Sequence, residues 1–294
     1  MRLRHAAALA LLLGSRDAWA QADEAVEAIA AGRLKDLAAL LDHGMDVNER
    51  GGTFRESLLG NAILLGRMDA VTFLVARGAD VDARGAGAAL TPLCRAATAC
   101  NLPVVKLLVG KGAHVNQATG GELSTTPLLS SLSPAGAGAD CYAVFRFLLD
   151  RGADARAARG AFDDQVGHGA IILATFRGDS RYARDLLRAG ADPNSASAGQ
   201  GALAYAIERL APTGAFDRAR DAPRAEEGLK VVELLVAAGA CVDATSKDGL
   251  PLPQLAAKRL AIPDDDPDGA KRAFYGDVGK RLQRLLAGRP TPRK

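Results

Sequence analysis

Clustered carboxylates, histidines and cysteines are the residues of this chain from which a reactive or metal-binding site could be built. Asp264-Asp265-Asp266-Pro267-Asp268-Gly269 contains the pattern Asp-x-Asp-x-Asp-Gly. In it the alternate carboxylates Asp264, Asp266 and Asp268 can converge on a hard cation such as calcium as the chain turns at the glycine. The twelfth position of such a loop, where a bidentate glutamate belongs, is Tyr275. The plainer reading is an acidic inter-helix loop in which Asp266 or Asp268 caps a helix starting near Ala270. The histidines, His5, His43, His114 and His168, are scattered, and no two have metal-ligand spacing. Ser-x-x-Lys, Gly-x-Ser-x-Gly, His-Glu-x-x-His and phosphate-loop patterns are absent. The residue types therefore point away from an enzyme and from any cofactor other than calcium.

The elements that would have to position such residues are set by a repeated stretch. Leu74-Val75-Ala76-Arg77-Gly78-Ala79-Asp80-Val81-Asp82 is one of six related segments, whose glycines are Gly44, Gly78, Gly112, Gly152, Gly190 and Gly239. Their separations are 34, 34, 40, 38 and 49 residues, a period that marks a stacked-repeat protein with insertions in the later copies. Paired apolar residues close one face of a helix, and the glycine ends it. The Asp or Asn that follows suits a tight turn through side-chain bonds to nearby backbone.

With these anchors, Thr91-Pro92-Leu93-Cys94-Arg95-Ala96-Ala97 and Thr126-Pro127-Leu128-Leu129 resemble the opening of the ankyrin-repeat unit, and Ser57-Leu58-Leu59-Gly60 and Pro251-Leu252-Pro253-Gln254 are weaker versions. The resemblance covers about residues 22–288. It implies an all-α repeat solenoid, in which pairs of antiparallel helices are joined by β-hairpin or loop tips. About seven units are expected, near 22–50, 51–84, 85–118, 119–158, 159–196, 197–245 and 246–288. The family's opening histidine is replaced by Gly60, Cys94, Leu129, Ile172, Ala204 and Gln254, which puts the regularity of inter-repeat hydrogen bonding in question. The insertions, at 133–139, 159–167 and 210–228, carry Pro, Gly, Ser and charged residues and are expected to be loops.

Residues 1–20 read as a secretory signal peptide: Arg2, Arg4 and His5 precede the apolar run 6–13, and Ala18-Trp19-Ala20 offers a small-x-small cleavage site. The apolar run is too short to span a membrane, so a periplasmic or secreted protein without a membrane span is expected. That segment carries +2 of the formal +3, leaving about +1 for the remainder. With aromatics at 4% and charges of both signs interleaved, nucleic acid is disfavoured as a partner. Residues 289–294 form a basic, Pro-rich tail.

Export makes cysteine pairing relevant. Cys100 and Cys141 fall in the inter-helix turns of neighbouring units, and the insertion before Cys141 could bring them within bridging distance. Cys94 and Cys241 are expected to be free. A protein partner, bound by a monomer through the concave side, follows from the resemblance. Position by position it places Arg50, Thr53, Phe54, Arg55, Arg84, Gln117, Arg159, Phe162, Asp163 and Asp164 on the tips. Thr98, Phe176, Arg177, Glu208 and Arg209 fall at the ends of the inner helices. Phe54-Arg55 and Phe176-Arg177 have the composition of interface hot spots, although phenylalanines there could equally pack beneath the hairpins. Similar exported ankyrin proteins include immunity proteins that neutralise a toxin and scaffolds for oxidative-stress enzymes.

Overall fold

A computed structural model describes residues 20–83, 90–120, 124–133, 140–158, 169–211, 218–261 and 269–287 of the chain. The chain divides into two compact units, Met1–Ala153 and Asp154–Lys294.

In the first unit a helix over 20–31 (α1) is followed by α2 (Leu34–Asp42) and a hairpin of β1 (Arg50–Gly51) and β2 (Glu56–Ser57). Three helix pairs follow: α3 (Leu58–Leu64) and α4 (Met68–Ala76), α5 (Pro92–Thr98) and α6 (Leu102–Gly110), α7 (Pro127–Leu132) and α8 (Tyr142–Asp150). The hairpin is antiparallel, with Arg50 opposite Ser57. The inner helices α3, α5 and α7 pack in succession, and each carries its outer partner behind it.

Local chemistry accounts for these elements. Ser57, Thr91 and Thr126 begin the inner helices by accepting from the backbone N–H groups of Gly60, Cys94 and Leu129. Pro92 and Pro127 occupy first-turn positions, where a missing N–H costs nothing. The outer helices stop as the anchor predicts. After α4, Gly78 turns to φ +84, so that Ala79 N–H reaches the Leu74 carbonyl and Gly78 N–H the Val75 carbonyl, satisfying the last turn of the helix. Leu58, Leu59, Leu74, Leu93, Leu108, Leu128 and Phe145 form the core of this unit.

The second unit repeats the pattern with α9 (Ala170–Arg177) and α10 (Ser180–Arg188), the antiparallel hairpin β3 (Ala196–Ser197) and β4 (Gln200–Gly201), then α11 (Ala202–Arg209) and α12 (Arg218–Ala237), and finally α13 (Leu252–Leu260) and α14 (Ala270–Ala287). Helices α9, α11 and α13 form the inner row, and α10, α12 and α14 the outer one. Its buried side chains include Ile172, Tyr182, Leu186, Ile207, Val232, Leu235, Tyr275 and Leu282.

One expectation is corrected. The insertion at 210–228 is not all loop: from Arg218 onward it extends α12 to 20 residues, with Pro223 inside the helix. The extension survives the proline because Asp221, Ala225, Leu229 and Val232 share one buried face at helical spacing, while Pro223 itself is exposed.

Inter-repeat hydrogen bonding is regular without the opening histidine. Asn48 Oδ1 accepts from Asp80 N–H at 2.7 Å, Asp82 Oδ1 from His114 N–H at 3.0 Å, and Asn116 Nδ2 donates to the Gly152 carbonyl at 2.9 Å. In the second unit, Arg156 Nε donates to the Gly190 carbonyl at 3.0 Å and Asn194 Oδ1 accepts from Cys241 N–H at 2.7 Å. The polar residue two positions past each anchor aspartate, or past His114 in the third anchor, thus reaches the next anchor. The anchor aspartates themselves close the tight turns, as with Asp46 to Asn48 N–H and Asp80 to Asp82 N–H, both at 2.9 Å.

Candidate partner-binding surfaces

In the first unit the tip of the β1–β2 hairpin, the outer side of α1 and the end of α3 enclose a groove of about 660 Å³ lined by Asp23, Val26, Glu27, Thr53, Phe54, Arg55, Asn61, Leu64 and Leu65 among others. Three contacts build it. Asp23 Oδ1 accepts from Gly52 N–H at 2.8 Å, fastening the tip to α1. Gly51 lies so close to α1 that a Cβ there would stand 2.5 Å from the Ala22 carbonyl oxygen, a contact only glycine permits. Buried Asn61 donates from Nδ2 to the carbonyls of Gly51, Glu56 and Ser57 at 3.1–3.2 Å, holding the hairpin on α3. Beneath the hairpin, Glu56 is buried and ion-paired with Arg95 of α5.

This frame leaves apolar surface in water. Phe54 is 68% exposed, Leu64 46%, Leu65 43% and Met68 38%, and these are the exposed large hydrophobic side chains among the described residues. They fall on the hairpin tip and the α3–α4 turn. Arg50, Thr53 and Arg55 are exposed near Phe54, with Arg55 at φ +51 in the turn. Gln117 is half-buried and borders a shallower hollow with His114, Val115 and Asn116. Thr98 is half-buried and donates from Oγ1 to the Cys94 carbonyl at 2.9 Å. Arg84, Arg159, Phe162, Asp163 and Asp164 lie outside the described residues, as do residues 1–19 and Asp264, Asp266 and Asp268 of the acidic loop. Among the described residues no three His, Cys, Asp or Glu side chains gather as a metal site would need.

Cys100 and Cys141 are joined by a disulfide, with their Cα atoms 4.8 Å apart. Cys100 stands in the α5–α6 turn at φ +55, and Cys141 immediately precedes α8, so the bridge ties the α5–α6 pair to the α7–α8 pair. Cys94 and Cys241 are not in a disulfide.

In the second unit the predicted residues cluster at the ends of two adjacent inner helices. Phe176 does not project into solvent as Phe54 does: its ring meets Tyr205 edge-on, centroids 5.0 Å apart. The Arg177 guanidinium lies 4.7 Å over the Tyr182 ring. Glu208 accepts from Gln200 Nε2 at 2.8 Å and Arg259 at 2.9 Å; burial, and after it this carboxylate, raises the Tyr205 hydroxyl above the usual tyrosine range. Arg209 is half-buried, and burial, followed by the Arg224 cation beside it, pushes its guanidinium below the usual arginine range.

Leu64, Leu65, Met68, Asn61, Glu56 and Arg224 are not among the residues that sequence reasoning selected. Asn61 carried a signal, a lone amide inside the apolar run Leu58–Leu65. So did Leu64-Leu65, apolar at the end of an inner helix, where exposed tips are usually polar. Arg224 carried none, because its place depends on the unforeseen extension of α12. No helix among the described residues is long and apolar enough to cross a membrane.

A family model described as ankyrin repeats (3 copies) matches residues 25–119. No curated protein matches the chain. Among solved structures it is similar to the human ASB11 ankyrin repeat domain, at 20% identity with a TM-score of 0.61, covering 91% of this chain and 99% of that one. It is also similar to the ankyrin repeat domain of Bcl-3, described as a unique member of the IkappaB protein family, at 19% identity with a TM-score of 0.59, covering 80% of this chain and 94% of that one. Residues 25–119 are thus similar to ankyrin repeats in sequence, and the chain as a whole has the fold of an ankyrin-repeat solenoid.

Proposed function

We propose that this is an exported, non-catalytic, monomeric binding module that captures another protein through its hairpin tips and inner-helix ends. Ankyrin repeats generally mediate protein–protein interaction. The observation that carries the reading here is the groove of the first unit, whose exposed Phe54, Leu64 and Leu65 sit on a rigidly fastened frame. Exposed apolar side chains gathered at one place mark a surface that another molecule covers, and an aromatic at the centre of such a patch is the usual anchor. Export rests on the leader-like character of residues 1–20, and no cofactor is needed for the binding.

The same groove serves either specific role that similar exported ankyrin proteins suggest, a toxin's immunity protein or a scaffold for an oxidative-stress enzyme. Residues 21–294 carrying a photo-crosslinking amino acid in place of Phe54 should form one covalent adduct in periplasmic extract, lost when Leu64 and Leu65 are both alanine. The mass of the adducted protein would decide between toxin and stress enzyme. Absence of any adduct, or one indifferent to Leu64 and Leu65, would overturn the assignment.

A further inference from the structure

In α3, α5, α9, α11 and α13 the position eight residues after the N-cap falls within one residue of the helix end. In the first unit these positions hold Leu65, after Ser57, and Ala99, after Thr91. In the second they hold Arg177, after Gly169, Arg209, after Gly201, and Arg259, after Pro251. Because α9 packs on α11 and α11 on α13, the three arginines form a row across consecutive inner helices.

Their engagements differ. Arg259 is paired with Glu208 at 2.9 Å, and Arg177 covers the Tyr182 ring. The Arg209 guanidinium makes no hydrogen bond or ion pair with a described residue. It is half-buried, with Nη2 3.6 Å from where a Cβ on Gly178 would stand, at the end of α9. Arg224, the cation nearest it, is committed elsewhere, donating from Nη2 to the carbonyls of Arg209 and Ala211 at 2.9 and 3.1 Å. A cation taken partly out of water beside a second cation is unfavourable unless an anion joins it. The planar fork of donors on a guanidinium fits a carboxylate through two parallel bonds.

We propose that the row of Arg177, Arg209 and Arg259 seats an acidic peptide segment of a partner protein, with one of its carboxylates on Arg209. A peptide suits the row better than a nucleic acid. Glu208 lies among the arginines and would repel a continuous phosphate backbone, whereas a peptide can space its acids around it. The nearby rings also pack on protein: Phe176 on Tyr205, and Tyr182 under Arg177, leaving no stacking platform for bases among the described residues. The inference rests on the reading of the chain as a protein-binding module and is independent of the apolar groove.

The test is fluorescence anisotropy of a labelled peptide of alternating Glu and Gly, with its Gln counterpart as control, on residues 21–294. The Glu peptide alone should bind, weakening by about tenfold in Arg209→Gln, as expected when one partner of a desolvated charge pair is removed. Arg209→Lys, which keeps the charge, should retain most of the binding, and Arg177→Gln, at the adjacent helix end, should weaken it independently of any folding defect at Arg209. The double variant Phe54→Ala/Leu65→Ala should bind the peptide as the parent does, so that failure of the groove assignment and failure of this one are told apart. Equal binding by the parent and both glutamine variants would overturn the proposal. Displacement of the peptide by millimolar inorganic phosphate would reassign the site to a small anion. Binding of single-stranded DNA with the same dependence on Arg209 would reassign it to nucleic acid.

Discussion

The inner helices of the two units begin and end differently. In the first unit they begin with hydroxyl caps, Ser57, Thr91 and Thr126, and end in Leu65 and Ala99. In the second they begin with Gly169, Gly201 and Pro251, none of which supplies a side-chain cap, and carry Arg177, Arg209 and Arg259 within one residue of their ends. The fastenings differ in the same sense. The first unit is held by a disulfide and a buried ion pair beneath its hairpin. The second is braced by partly exposed ion pairs between its long outer helices, notably Arg281 with Glu226 at 2.7 Å, and by Glu227 of α12 reaching Lys230 and the backbone of Ser180. One backbone plan thus presents an apolar face where covalent and buried contacts hold it, and a cationic face where charges hold it. Stability in the first unit should respond to redox conditions, and in the second to pH.

The sharpest way to break this comparison is to cut the bridge. Replacing Cys100 and Cys141 with serine frees a loop whose ends are 41 residues apart, and the loss of denatured-state constraint should cost roughly 4 kcal/mol. Hydrogen exchange should locate the loss in α5 to α8, leaving α9 to α14 unchanged. Equal loss of protection in α9 to α14 would mean that the two units do not differ as described.

A smaller effect comes from the ion pair under the hairpin. Glu56→Ala leaves Arg95, whose side chain is 15% exposed, without its carboxylate, which should cost about 3 kcal/mol. Chemical denaturation read by circular dichroism would measure it. Because the pair is buried, the loss should hardly change between low and high salt; a loss that disappears in high salt would place the pair in solvent and remove one of the contrasts between the units.

Most of the fold was legible because the anchor couples three local rules, an apolar helix end, a glycine stop and an Asx turn, and Gly78 with Asp80 obeys all three. The site was legible in part. Phe54 on a hairpin tip and Phe176 at an inner-helix end were both identified as an aromatic flanked by arginine; the structure places Phe54 in water, whereas Phe176 packs on Tyr205. A tip residue and a helix-end residue are indistinguishable by composition; what separates them is an aromatic neighbour on the next repeat, and pairing across repeats is not written at a fixed spacing when insertions intervene. Leu64 and Leu65 were overlooked for the opposite reason, since apolar residues in an apolar helix read as core, and only the fold shows that theirs stand in water. The helical extension through Pro223 was hidden because its anchors, Asp221 and Ala225, become a buried face only once α14 packs against α12.

The smallest expected effect tests the charge-held unit. Glu227 of α12 is held at a pKa of about 2, against an ordinary 4.5, chiefly by its hydrogen bond with Lys230 and then by Ser180. Ser180 N–H, which donates to it at 3.1 Å, opens α10, so the carboxylate also sits at the positive end of a helix. A carboxylate with a depressed folded-state pKa stabilises the protein above its unfolded value, and that contribution fades as pH falls from about 4.5 through about 2. The side chain is 35% exposed, so solvent screening reduces the effect to about 1 kcal/mol. Denaturation of the parent and of Glu227→Gln at pH 6 and at pH 2.5 should show the parent losing about 1 kcal/mol more than the variant over that interval, with the loss centred on α10 and α12 by hydrogen exchange. If the variant loses as much as the parent, Glu227 contributes nothing through its charge, and the charge contribution to the second unit would rest on pairs such as Arg281 with Glu226.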